Sequence, residues 1–307
     1  MRLHVEPGRW AQGVNRIRAD HWVARRLAKQ FEVDVMYYPK GWMPLLPLRG
    51  CRQVVTIHDL INFSLRKANH SLAKRAKAFY FSWMSRHALR RADRIITISE
   101  CTRGALLSVV PERDKDIDVV YQGPGLHVDA PSAVPLAERE GFLVIGSQVP
   151  HKATHETIAR LADYVVSREG RERRVTVAGL SAWPDAWGAP PQAIELSFAG
   201  RLGDDRLVAA YKKSRALLFL SEEEGFGLPL IESYLAGTPV CYRNASSMAE
   251  VMRGIPGGWD GESQNGFNAA LDATLAMDGD EVAAVRKQFA EKYQWGRAAC
   301  EILRVLT

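Results

Sequence analysis

Two carboxylates, Glu224 and Glu232, close the two ends of the run Glu224-Gly225-Phe226-Gly227-Leu228-Pro229-Leu230-Ile231-Glu232, with seven residues between them. Carboxylates accept hydrogen bonds and would repel a bare phosphate, so acids on both sides of a glycine turn suit a ligand that also carries hydroxyls. Gly225 and Gly227 permit a tight turn and a close backbone approach, and Pro229 suits the first position of a helix. A helix opening there presents unpaired N–H groups and about half a positive charge, which favours phosphate. A nucleotide sugar offers both features, a diphosphate between two polyols. The plainer reading makes Glu224 part of a solvated Glu222-Glu223-Glu224 loop and Glu232 a favourable charge near a helix N-terminus. A second cationic contribution comes from Lys152, which follows the turn Gly146 to His151 and can meet a diphosphate as a point charge.

These residues need strands and helices to hold them. Ala216 to Leu220 is a short apolar run of the kind found in buried parallel strands, and Leu230, Ile231, Tyr234 and Leu235 recur at helical spacing. Strand, glycine turn and helix follow in that order. Further strands are expected at 1–6, 33–38, 53–57, 94–99, 118–121, 142–145, 175–179, 197–202 and 239–242. Helices are expected at 14–30, within 65–94, after Ser99, and over 204–214, 280–293 and 296–306. Residues 254–268 receive no assignment. His58 falls at the end of the strand 53–57, where ligands sit in an open parallel sheet. Asp114, Asp116 and Asp118 form two D-x-D triplets, but in a charged loop remote in sequence from the glutamates they read as solvated.

The chain has 307 residues, 47% hydrophobic, enough for two ordinary domains. No run approaches the roughly 18 to 20 apolar residues that cross a bilayer, and the N-terminus lacks signal-peptide character, so a cytoplasmic protein is expected. Cys51, Cys101, Cys241 and Cys300 form no C-x-x-C pair, and reduced, mostly buried thiols are expected. The net charge is +6, but residues 1–135 carry an excess of ten positive charges and the remainder an excess of four negative ones. The basic part concentrates at 66–94, where Arg and Lys alternate with Phe79, Tyr80, Phe81 and Trp83. A solvated face over a core is one reading. Attachment to an anionic membrane surface is the other, which would place the protein on the cytoplasmic face of the inner membrane. Without a recognisable nucleic-acid module, no nucleic acid is expected.

The segment from Glu224 to Glu232 resembles the Glu-x7-Glu signature of the family-4 retaining glycosyltransferases, α/β enzymes of the GT-B fold with two Rossmann-like doubly wound domains facing a cleft. Val55-Thr56-Ile57-His58-Asp59-Leu60 is similar to the family's T-x-H-D segment, Arg94 to Glu100 to D-x-I-I-T-x-S-E, and Gly146 to Ala153 to G-x-x-x-P-x-K-N. Two departures stand out: Ser147 where many members carry arginine, and Ala153 in place of asparagine. The resemblance implies a basic, unusually short first domain over 1–130, a nucleotide-sugar domain over 136–292, and a terminal helix over 293–307 crossing back. It implies catalytic roles for Glu224, His58 and Lys152, and donor contacts from Gly13, Ser99, Gln148, Arg201, Gly225, Phe226, Gly227, Leu228 and Glu232. It implies neither a cofactor nor a metal. The donor would be GDP-mannose first and a UDP-hexose next, with a lipid-linked or surface-polysaccharide glycan as acceptor. A non-catalytic nucleotide-sugar-binding module and a basic membrane or nucleic-acid adaptor are the alternatives.

Overall fold

The computed structural model describes residues 22–45, 48, 50–60, 72–168 and 172–307, the side chains of 72–78 and 81 excepted. Gly13, the expected strand 1–6, Arg66 and Lys67 lie outside the described residues. The chain divides into two compact units, Met1–Val120 with Cys300–Thr307, and Tyr121–Ala299. Residues 121–130, assigned by sequence to the first domain, therefore pack with the second.

In the first unit β1 (Val35–Tyr38), β2 (Arg52–Ile57), β3 (Arg94–Thr97) and β4 (Ile117–Val119) pair in parallel in that order. Gln53 to Ile57 are all buried, as expected of a central strand covered on both faces. The unit also holds α1 (Ala24–Gln30), and Val55, Ile57, Leu89, Ile95, Leu106 and Ile117 join one core between the sheet and the helices α2 (Leu72–Arg91) and α3 (Glu100–Leu107). The D-x-D carboxylates have local employment: Asp114 pairs with Arg103 at 2.5 Å, Asp116 with Arg113 at 2.9 Å, and Asp118 with Arg94 at 2.6 Å.

The second unit contains β5 (Phe142–Ile145), β6 (Arg174–Ala178), β7 (Glu195–Gly200), β8 (Ala216–Phe219), β9 (Val240–Arg243) and β10 (Gly258–Trp259). Their order, β10-β9-β8-β5-β6-β7, is parallel throughout. This is the doubly wound arrangement in which the first and fourth strands of the domain lie side by side and the chain turns in opposite directions from them. The interleaved helices are α4 (Thr154–Ser167), α5 (Asp204–Lys213), α6 (Leu228–Leu235), α7 (Ser246–Val251) and α8 (Gln264–Ala276), followed by α9 (Gly279–Lys292) and by α10 (Trp295–Leu306), whose residues from Cys300 on belong to the first unit. The unassigned stretch 254–268 supplies the short edge strand β10 and the start of α8. Strand and helix packing shares a core built from Val144, Ile158, Leu161, Val177, Leu218 and Phe267. Of the four free cysteines only Cys241 is buried; Cys51 and Cys101 are partly exposed and Cys300 is exposed, so the expectation of mostly buried thiols fails.

Candidate functional site

Parallel pairing of β5 with β8 brings the loops leaving their carboxyl ends together, and these loops hold the sequence motifs. After β5 the chain makes a short 3-10 turn, Pro150–Lys152; after β8 it runs from Ser221 to Gly227 before entering α6. The two loops are stitched by one carbonyl: His151 O accepts from Glu222 N at 2.7 Å and from Ser221 Oγ at 3.0 Å. The side chains that follow meet as a consequence. Lys152 Nζ lies 2.6 Å from Glu224 Oε1, with side-chain exposures of 32% and 11%. A pair at that distance is a charge-assisted hydrogen bond, the strong kind, between a partly exposed ammonium and a mostly covered carboxylate at the switch point.

Glu224 is fixed from behind by the start of α7. Ser246 Oγ accepts from Glu224 N at 3.3 Å and donates to Glu224 O at 3.0 Å, while Ser247 Oγ donates to the same carbonyl at 2.9 Å. Ser246 holds φ +55°, a left-handed conformation that a serine adopts at some cost. Gly227 has φ +91°, and a Cβ there would stand 2.6 Å from Leu230 Cδ1. Only glycine fits this corner, which opens α6 without any side-chain cap on its first N–H groups.

Glu232 takes a different part. It is 6% exposed; its Oε1 accepts from Gly125 N at 3.0 Å and its Oε2 from Tyr211 Oη at 3.4 Å. Burial pushes this carboxyl above its ordinary range, opposed by the Gly125 N–H, the Tyr211 hydroxyl and the Leu126 N–H. Tyr211, fully buried, is itself raised well above its ordinary value by the same burial and by Glu232. The carboxylate thus fastens the segment around Gly125 to α6.

Other expected site residues are placed as follows. Gln148 and Arg201 are exposed, and Gly225 and Leu228 are partly exposed. The Phe226 ring is 3% exposed, stacks on Tyr121 at 5.9 Å and meets Tyr293 edge-on at 5.4 Å, because an apolar ring beside two tyrosines gains more from the core than from water. Only its backbone remains for a ligand. Ser99 likewise faces inward. It is fully buried in the first unit, caps α3 by accepting from Thr102 N at 3.0 Å, and donates to Thr102 Oγ1 at 2.9 Å. A serine ahead of Glu100 at a strand end has this capping geometry as its ordinary use. His58, also in the first unit, is exposed, with Nε2 2.7 Å from Pro39 O. Sequence reasoning missed Ser246, Ser247, Tyr211 and Gly125. The serines leave a trace, a Ser-Ser pair just after a strand, but nothing local says which loop they hold.

Among the described residues no cluster of His, Cys, Asp and Glu has the makings of a metal site. No described helix is long and apolar enough to cross a membrane.

Two family models match the chain, Glycosyltransferase Family 4 over residues 2–124 and Glycosyl transferases group 1 over residues 132–266. The chain is 24% identical over 281 residues to the serotype-specific mannosyltransferase WbdA of Escherichia coli, covering 84% of this chain and 34% of that protein. It is 23% identical over 238 residues to the O-antigen chain mannosyltransferase RfbU of Salmonella typhimurium, covering 76% of this chain and 62% of that protein. The chain therefore spans about a third of the length of the first relative and under two thirds of the second. Among solved structures, sucrose-phosphate synthase from Thermosynechococcus elongatus superposes with a TM-score of 0.69 at 16% identity, over 92% of this chain and 75% of that one. The two parallel α/β sheets are those of the GT-B fold.

Proposed function

The chain belongs to the glycosyltransferases that these two family models describe, and from that premise we propose that it transfers a hexose from a nucleoside-diphosphate sugar to a glycan with retention at the anomeric carbon. The observation that carries this reading is the Lys152–Glu224 pair, 2.6 Å apart beside the uncapped start of α6. Without donor the two charges neutralise each other. An incoming diphosphate takes over the Lys152 ammonium, and the hexose hydroxyls take over the Glu224 carboxylate.

In the step itself the bond from the anomeric carbon to the diphosphate oxygen breaks, and the nucleoside diphosphate departs with its electron pair. Lys152 and the α6 N–H groups stabilise that developing charge. The acceptor hydroxyl attacks from the same face, forming the new glycosidic bond, and its proton passes to the departing phosphate oxygen. No enzymic nucleophile and no metal take part. Glu232 and the backbone of Gly225, Gly227 and Leu228 complete the donor contacts, with Gln148 and Arg201 exposed for the outer parts of the nucleotide. GDP-mannose is the preferred donor, a choice supported by the mannosyltransferase names of the relatives, and the acceptor is a surface-polysaccharide or lipid-linked glycan.

A membrane surface is part of the same reading. On α2, Phe79 and Trp83 are 58% and 46% exposed and share a helical stripe with the exposed Arg86 and Arg90, aromatic anchors beside cations.

Calorimetry with GDP, UDP, ADP and TDP, followed by transfer and hydrolysis assays with the matching sugar donors, tests the proposal. The expected result is binding of one nucleoside diphosphate and turnover that Glu224→Ala lowers by about 10²- to 10³-fold, the size of loss seen when a transition-state contact is removed. A protein that binds donor and never turns it over would instead be a nucleotide-sugar-binding module, and one with no nucleotide affinity would end the reading altogether.

A further inference from the structure

At the opposite edge of the second unit's sheet, where the strands begin, lies a cavity of about 230 Å³. Arg139 precedes β5 there and Gly237 precedes β9, so in a parallel sheet the cavity is remote from the Lys152–Glu224 loops at the strand ends. Its walls are largely apolar, with Pro131, Val134, Leu136 and Val282 among them, yet two guanidiniums also line it, those of Arg139 and Arg286. Arg139 is only 7% exposed. Its Nε donates to Val134 O at 2.9 Å, and its Nη1 donates to Gly237 O at 2.7 Å and Thr238 Oγ1 at 3.0 Å. Arg286 donates from Nε to Leu235 O at 3.1 Å. Neither arginine forms an ion pair among the described residues, and Arg139 Nη2 and both Nη atoms of Arg286 have no protein acceptor there.

Arginine presents five N–H donors and stays charged, so the Arg139 and Arg286 nitrogens without a protein acceptor remain open to whatever occupies the cavity, with no carboxylate to neutralise them. Burial also pulls the Arg139 guanidinium below its ordinary value, the direction expected of an uncompensated charge. Capping the end of α6 accounts for Arg286 Nε and for the Arg139 bond to Gly237 O, and tying the linker at Val134 to the turn at Thr238 accounts for the other engaged Arg139 donors. The remaining nitrogens are left unexplained. Two arginines lining one cavity, with no carboxylate paired to either among the described residues, suit a doubly charged phosphate better than a carboxylate, which one arginine fork would satisfy alone. The apolar walls suit a hydrocarbon stem.

We propose that this cavity is a second ligand site of the chain, one that binds a phosphate monoester through Arg139 and Arg286 with an apolar stem against Val134, Leu136 and Val282. The site is independent of the donor site and of the reaction proposed for it. It touches the same helix, however, since Arg286 bonds Leu235 at the end of α6 whose other end is Gly227.

Calorimetric titration with butyl phosphate and with inorganic phosphate tests it. Butyl phosphate is expected to bind with saturation, on the order of tenfold more tightly than inorganic phosphate because its methylenes leave water. Arg286→Gln, at a partly exposed position, is expected to weaken that binding at least about tenfold. Lys152→Ala is expected to leave it unchanged, and Arg139→Lys keeps a cation in place should larger changes unfold the domain. The proposal is overturned by absence of saturable binding, by equal affinity for the two phosphates, by an affinity indifferent to Arg286→Gln, or by loss of binding in Lys152→Ala, which would place the phosphate at the donor site.

Discussion

The carboxylates of the Glu-x7-Glu segment live in different surroundings although they sit eight positions apart. Glu224 is mostly covered and shares its charge with the partly exposed Lys152, whereas Glu232 is enclosed and held by Gly125 and Tyr211. Burial raises the Glu232 carboxyl above the ordinary 4.5, so the unfolded chain gives up this proton more readily than the folded one. The stability from this group is fully present below the unfolded value and disappears as pH rises through the raised folded value. In Glu232→Gln the amide keeps an acceptor for Gly125 and cannot ionise. Its melting temperature relative to the wild type is therefore expected to climb between about pH 4 and pH 8, the range that spans the ordinary carboxyl value. Thermal melts across that range decide the matter; a constant difference would mean that the carboxylate is fully compensated where it lies.

Among the elements, the corner from β8 into α6 bears most of the geometry. Gly227→Ala must place a Cβ 2.6 Å from Leu230 Cδ1 at a φ of +91°, and is expected to cost about 2–3 kcal/mol in denaturant melts, combining left-handed strain with a forced contact. Donor affinity should fall with it, because the α6 N–H groups lose their aim. Ser99 gives the contrasting case. As the N-cap of α3, its replacement by alanine should lower stability by about 1 kcal/mol while nucleotide affinity by calorimetry stays at the wild-type value. A selective loss of donor binding in Ser99→Ala would restore the ligand role that the resemblance suggested.

For the whole molecule, charge asymmetry is the governing property, ten positive charges in excess before residue 136 and four negative in excess after it. Attraction of that kind to anionic lipid is screened by salt. Co-sedimentation with vesicles of phosphatidylglycerol and phosphatidylcholine should show binding that weakens steeply between low and physiological ionic strength. Phe79→Ser with Trp83→Ser should reduce it by about tenfold, since two half-exposed aromatic side chains leave the interface. Equal binding to purely zwitterionic vesicles would remove the electrostatic part of the reading.

Short-range physics made much of this protein legible in advance. A five-residue apolar run before a glycine corner, a proline at the start of a helix and a carboxylate at each end specify strand, turn and helix wherever they occur, because those preferences are settled within one or two turns of chain. Lys152 was readable as a cation placed by a turn, and the parallel α/β class as apolar strands alternating with helices. Which groups meet was not readable in this way. The adjacency of β5 and β8, separated by some seventy residues, puts Lys152 against Glu224; the start of α7 supplies Ser246 and Ser247 to hold it; and the path of residues 121–126 decides that Glu232 is enclosed. The burial of Phe226 and Ser99 was unreadable for the same reason. Burial and hydrogen-bond partners are set by what packs alongside, and that is a property of the folded chain alone.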